Sequence, residues 1–202
     1  MGTRGLTMVV SKGKTRVAQY GQWDHYPSGQ GRTALEFLRD VDLKQFAKKL
    51  YRCKFVKRKK QKEINSFLES IGCPGGWMTM AQAQQYKIKF PYLSRDHGAG
   101  ILKLIMESVD KEIWLYDQTD FAADSLFCEY AYVIDLDKRT FEIYSGFNKS
   151  EVDPSERFAY LNGKTENDYG VIRHMKTYSL DNLPTVEDYL EEMEKLEEVE
   201  ED

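Results

Sequence analysis

The residue types that could do chemistry gather in two stretches bounded by glycine. Tyr20 to Gly31 carries Gln22, Trp23, Asp24, His25, Tyr26 and Gln30, and Pro91 to Gly100 carries Ser94, Arg95, Asp96 and His97. Glycine lets backbone approach a ligand closely, and loops held by a rigid scaffold are where sites tend to sit. Arginine offers a planar fork of donors matched to carboxylate or phosphate. A helix start offers N–H groups that an anion can accept. The candidate ligand-binding set is therefore Arg4, Gln22, Trp23, Asp24, Tyr26, Gln30, Arg95 and Asp96. In this reading the two loops meet, Arg4 and Arg95 face an anion, and Asp24 and Asp96 orient the guanidiniums. The competing reading is a closed structural network in which these arginines and aspartates pair, with Trp23 and Tyr26 plugging the core.

Other constellations carry less. The chain has three histidines, His25, His97 and His174. Ser94, His97 and Asp24 can be written as a triad, but triads are recognised by geometry, and almost any chain permits one on paper. His25 and His97 with Asp24 and Asp96 contain metal-ligating types at no diagnostic spacing. No metal site and no cofactor is expected, and no catalytic residue is assigned. The Gly-Lys-Ser/Thr of a P-loop is absent. Cys53, Cys73 and Cys128 fit neither a disulfide framework nor a zinc motif. They are expected as reduced, buried thiols, and the expected compartment is the cytoplasm.

The charge pattern limits the partners. A net charge of −4 gives no general affinity for nucleic acid or anionic lipid. Arg52 to Lys62 is strongly basic and holds one aromatic, Phe55, so a solvated helix start is expected there and not a nucleic-acid contact. Glu187 to Asp202 holds ten acids and one lysine. Its first part has a helical apolar face, and 197–202 is expected to fray as an acidic tail. No apolar run is long enough to span a bilayer. The first residues are too polar for a signal peptide, and Leu6 stands where a myristoylation motif wants Ser or Thr.

Several elements must position these residues. Leu6 to Val10 and Arg16 to Tyr20 predict a hairpin around Lys12-Gly13, with Leu6, Met8, Val10 and Val17 sharing one core. Helices are expected after Gly31 with a break near Val41-Asp42, through Ile64 to Ile71, over Met78 to Gln85, and from Ile101, with Ser94 as a cap of the last. Strands are expected at 112–116, 127–135, 140–144, 158–161 and within 169–178. Thr185 with Asp188 predicts the start of a final helix. Hairpins predominate and no β-α-β pattern repeats, so the fold class is α+β, one domain over 1–202, with a layout loosely like an αββα sandwich.

The segments Met1-Gly-Thr-Arg-Gly-Leu-Thr and Tyr20-Gly-Gln-Trp-Asp-His-Tyr-Pro-Ser-Gly-Gln-Gly resemble an uncharacterised family with members in bacteriophages, bacteria and some fungi. Leu93-Ser-Arg-Asp-His-Gly-Ala-Gly-Ile-Leu and Cys128-Glu-Tyr-Ala-Tyr-Val-Ile-Asp-Leu-Asp are similar to it as well. At His25 the resembled family has glycine. The resemblance implies no catalytic residue. The order of hairpin, helices and strands is also similar to that of N-terminal-nucleophile hydrolases, whose Cys, Ser or Thr must be N-terminal. Here Met removal would leave Gly2 first and Thr3 internal, so the layout alone does not imply that activity. The function expected is that of a non-enzymatic accessory binding protein, of the phage-encoded kind, acting on a host protein. The alternative is a small-molecule or nucleotide-derivative binding protein or hydrolase that uses the loops at 20–31 and 94–98. The expected partners are a protein and, in the alternative, a small anionic ligand; nucleic acid and membrane are not expected.

Overall fold

Two glycine-compatible turns and a row of β-branched and aromatic residues set up the central sheet. Strands β1 (Gly5–Ser11) and β2 (Lys14–Gly21) form the first hairpin. Its turn residues Lys12 and Gly13 sit at φ 54° and 65°, as the right-handed twist of a two-residue turn requires. The Asp137 carboxylate accepts from the N–H groups of Lys12 (2.7 Å) and Gly13 (2.8 Å), which ties this turn to the second hairpin. The computed structural model describes residues 2–75, 77–165 and 168–201.

Helices α1 (Arg32–Asp40) and α2 (Leu43–Leu50) follow, then strand β3 (Cys53–Phe55), and helices α3 (Arg58–Ser70), α4 (Met80–Lys89) and α5 (Gly100–Glu107). Strands β4 (Ile113–Leu115), β5 (Tyr130–Asp135), β6 (Thr140–Ser145) and β7 (Arg173–Ser179) and helix α6 (Val186–Glu201) complete the order. The main sheet runs β2-β1-β5-β6-β7. β1 and β5 are parallel, and every other neighbour is antiparallel. A small parallel pair, β3 and β4, stands apart.

The α+β expectation is met in a layered, sandwich-like arrangement. Val9, Val17, Tyr132, Ile134, Phe141 and Ile143 face α1, α2, α5 and α6 on one side. Leu6, Met8, Ala18, Ala131 and Val133 face single helical turns at Thr119–Ala123 and Ala159–Leu161 on the other. Both faces are therefore buried, as the apolar runs in β1 and β5 require. Among the described residues no helix is long and apolar enough to cross a membrane.

Several local expectations are corrected. Val17 joins Val9 on the helical side and does not share the core of Leu6 and Met8, because a bulge between Val9 and Val10 shifts the register and places Val17 opposite Val9. Ser94 does not cap α5, which starts at Gly100 without a side-chain cap. Residues 158–161 form a helical turn, not a strand. The basic stretch contains strand β3 before its helix begins. Helix α6 extends through Glu201, and Tyr130 donates to Glu197. The break before α2 falls where expected, with Asp42 accepting from the N–H groups of Lys44 and Gln45. Thr185 and Asp188 likewise bond as a helix start. All three cysteines are free and buried.

Candidate functional site

The end of β2 delivers the chain into the first polar loop, and that loop is built around a histidine. His25 is fully buried, and its imidazole lies against Gly5 and Gly21, a directly opposed pair on β1 and β2. A Cβ on either glycine would overlap the ring. The His25 carbonyl accepts from the Tyr132 hydroxyl at 2.7 Å, and its N–H donates to the Thr3 carbonyl at 3.2 Å. Nδ1 lies 3.3 Å from the Trp23 carbonyl, while Nε2 is buried with no partner. Burial lowers the imidazole pKa to about 4, with the Trp23 carbonyl pulling weakly the other way. His25 is thus a neutral structural wedge.

Trp23, expected in the core, is instead 51% exposed and leans on Gly2; Tyr26 is also exposed. The core plug of this loop is His25, a role that an unpaired histidine does not advertise in sequence. Asp24 is exposed at φ 58°, and its carbonyl accepts from the Gln30 N–H at 2.7 Å.

The two polar loops do meet. The Gln22 N–H donates to the Arg95 carbonyl at 3.1 Å, and the Gln19 amide donates to the Ser94 carbonyl at 3.0 Å. The Gln30 side chain accepts from the Ala99 N–H at 2.7 Å and so joins the start of one helical region to the other. The helix starts are closed to an anion, contrary to expectation. The N–H groups of Gly29, Gln30 and Gly31 bond to Tyr26 and Asp24, and those of Gly100, Ile101 and Leu102 bond to His97, Gly98 and Ala99.

What remains open is a pair of guanidiniums around Tyr20. The charge of Arg4 acts on the Tyr20 hydroxyl, and its Cζ stands 4.3 Å from the centroid of the Phe127 ring. Arg95 approaches the same phenol from the second loop and, with Tyr20, Gln118 and Phe121, lines an open cleft of about 530 Å³. Burial raises the Tyr20 pKa, and the charges of Arg4 and Arg95 oppose that rise. The Tyr20 hydroxyl donates to Gln22 Oε1 at 2.6 Å, its N–H donates to Gln118 Oε1 at 2.9 Å, and its ring meets Phe121 edge-on at 5.0 Å.

The aspartates do not orient these arginines as expected. Lys87 takes Asp96 at 2.9 Å and, with Ser94, holds its carboxyl below the usual range; the charge of Arg95 adds only a smaller effect. Among the described residues no carboxylate forms an ion pair with Arg4 or Arg95, so the closed network is absent. Arg4, Gln22 and Arg95 are therefore brought together. Gln30 and Asp96 brace the loops, and of the candidate set only Arg95 lines the cleft itself; Arg4 and Gln22 stand beside Tyr20, and Trp23, Asp24 and Tyr26 lie outside it. Tyr20, Gln118, Phe121 and Phe127 were missed. They come from a strand end and from a segment about a hundred residues later, and no local pattern marks them.

The triad that can be written on paper does not assemble, in keeping with that reading: Ser94 Oγ donates to Asp96, and His97 Nε2 contacts the Pro91 carbonyl at 2.7 Å. Among the described residues no group of three His, Cys, Asp or Glu could hold a metal. No protein-family model matches the chain, and no curated protein or solved structure is significantly similar to it.

Proposed function

We propose that this protein binds a small anion with an apolar or ring-bearing body in the cleft lined by Tyr20, Arg95, Gln118 and Phe121, with Arg4 supplying a second charge beside Tyr20. One observation carries the reading: the charges of Arg4 and Arg95, from separate segments, both act on the Tyr20 phenol beside an open cleft that Arg95 lines, and among the described residues neither guanidinium forms an ion pair, the Glu129 carboxylate accepting from the Arg4 backbone N–H instead. Arg95 would grip a carboxylate or phosphate through its fork of donors, and Arg4, stacked on Phe127, would supply the second charge. Phe121 and the Tyr20 ring would hold the apolar part. The residues lining the cleft include no Ser, Cys, His or carboxylate, so binding is favoured over hydrolysis.

The test is a thermal-shift series with phosphate, nucleotides and dicarboxylates at fixed ionic strength, on the parent and on Arg95→Gln. A ligand at tenfold its Kd adds about 1.4 kcal/mol to a folded protein. For a chain of this size that is a rise of roughly 3–6 °C in the parent. Arg95→Gln should fold and lose the rise. If no anion at millimolar concentration shifts the parent, the reading is abandoned.

A second reading, an accessory factor of the phage-encoded kind that docks on a host protein, is favoured by the exposed apolar side chains of one segment. Trp77, Met80 and Ile88 on and before α4 are 95%, 91% and 76% exposed, more apolar surface than solvent alone favours. Affinity purification of the parent and of a Met80→Ser/Ile88→Ser variant from the native host tests it. A partner lost only from the variant supports this reading; identical recovery from both removes it.

A further inference from the structure

Folding brings aromatic rings from distant segments against the basic stretch. Between Lys44 and Lys62 the chain carries ten lysines and arginines and no acid. In sequence that stretch holds few rings. In the structure a second open cleft, of about 550 Å³, is lined by Lys60 of α3, Lys89 of α4 and Lys111 before β4, together with Phe90, Tyr92 and Trp114. The small β3–β4 sheet explains the placement. Cys53 pairs with Ile113 and Phe55 with Leu115 toward the interior, so the intervening pair, Lys54 and Trp114, faces outward. The Lys60 ammonium lies 5.4 Å from the Trp114 centroid and 5.5 Å from that of Phe90, and Lys54 lies 5.8 Å from Trp114.

Asp110 and Glu112 also line the cleft, and among the described residues Lys89 and Lys111 are the lining lysines without an ion pair. Glu112 pairs with Lys54, Glu63 with Lys60 at 2.9 Å, and Asp110 accepts from the Tyr92 hydroxyl. Lys57, Arg58, Lys59 and Lys62 add exposed positive charge around the start of α3.

We propose that this cleft binds single-stranded nucleic acid, with the lysines along the phosphates and with Trp114 and Tyr92 under the bases. Cations flanking partly buried rings at a cleft are the combination that holds a strand without reading its sequence. A free phosphate would use one end of the row and none of the rings. An acidic peptide would use the cations and leave Trp114 idle. The site is separate from the Arg4–Arg95 cleft and does not depend on it.

The experiment is fluorescence anisotropy of labelled oligo-dT and oligo-U of about 15 nucleotides, with salt varied between about 50 and 200 mM. The proteins are the parent, Lys60→Gln/Lys89→Gln/Lys111→Gln, Trp114→Leu and Arg95→Gln, each checked for an unchanged fold by circular dichroism. Binding should fall steeply with salt. The triple variant should bind at least about tenfold more weakly, with a salt slope smaller by about 2. Trp114→Leu should weaken binding by roughly 5- to 150-fold. Arg95→Gln should bind like the parent. If the parent binds neither strand at low salt, the proposal fails. It also fails if Trp114→Leu binds as tightly as the parent while a poly-glutamate peptide competes equally well, the outcome that assigns the cleft to an acidic protein. Loss of binding in Arg95→Gln alone would place the strand in the other cleft and overturn the assignment.

Discussion

His25 should make the protein lose stability over a defined acidic window. Its imidazole is buried between Gly5 and Gly21, and among the described residues its Nε2 has no partner and no carboxylate stands against it to compensate a charge. Burial lowers its pKa from 6.5 to about 4 in the folded chain. The folded state therefore prefers the neutral ring, while the unfolded state takes up a proton as pH falls through 6.5. Stability from this group is fully present above that value, is lost as pH falls toward about 4, and is constant below. Linkage gives a loss of about 1 kcal/mol at pH 5.5 and roughly 3 kcal/mol once pH is below 4. The assay is urea unfolding of the parent and of His25→Gln across this range. The variant is less stable at neutral pH because the socket is refilled imperfectly. The diagnostic quantity is the parent-minus-variant difference, in which the carboxylates and the other histidines cancel. That difference should shrink on acidification between pH 6.5 and 4. A difference independent of pH, or one that grows, would refute the assignment of His25 as a neutral wedge.

Three further outcomes follow from the same packing. Gly21→Ala places a methyl inside the His25 ring and should cost about 1–3 kcal/mol; a double-mutant cycle with His25→Gly should recover part of it, and strict additivity would show that the ring is elsewhere. Arg157, 13% exposed, bridges Asp135 and Glu142 at 2.6 Å each, and burial of Glu142 is outweighed by Arg157 and the Tyr144 hydroxyl, which hold its carboxyl at about 2. Arg157→Ala should therefore cost about 3–5 kcal/mol in chemical unfolding at pH 7, and less below pH 4 where the stranded Glu142 carboxyl takes up a proton; a loss under about 1 kcal/mol would contradict the buried bridge. Trp23→Ala should cost about 1 kcal/mol or less by the same measurement, because half of the ring is already in water; a loss near 3 kcal/mol would put the ring in the core.

The parts of this fold that were legible in sequence are those governed by neighbours. Lys12-Gly13 and Asp137-Lys138 mark tight turns, Asp42 and Thr185 mark helix starts, and the strands flanking the turns follow the two-residue period. Pairing between remote segments was not legible. The parallel contact of β1 with β5 joins Gly5 to Tyr130, and nothing local encodes it. Val17 shows how a single residue matters: without the bulge at Val9 and Val10 it would oppose Met8, and with it the side chain crosses to the other face. In the site, Arg4 and Arg95 were legible as donors because guanidiniums beside glycine-rich loops are rare in a core. Their acidic partners were misassigned, because Lys87, distant in the pattern, reaches Asp96 first. Tyr20 looked like the last residue of a strand, and only the fold places both guanidiniums around it.

The central claim is that Arg4 and Arg95 together receive an anion, and the most direct measurement follows their side chains. In a ¹⁵N–¹H spectrum of the arginine Nε–Hε groups, adding the stabilising anion at constant ionic strength should move two signals, assigned by Arg4→Lys and Arg95→Lys. Arg139, paired with Asp181, and Arg157, held by Glu142 and Asp135, should stay in place. Saturating shifts confined to Arg4 and Arg95, with one shared Kd, are the predicted result. Shifts spread evenly over all arginines, or none at millimolar anion, would contradict the account.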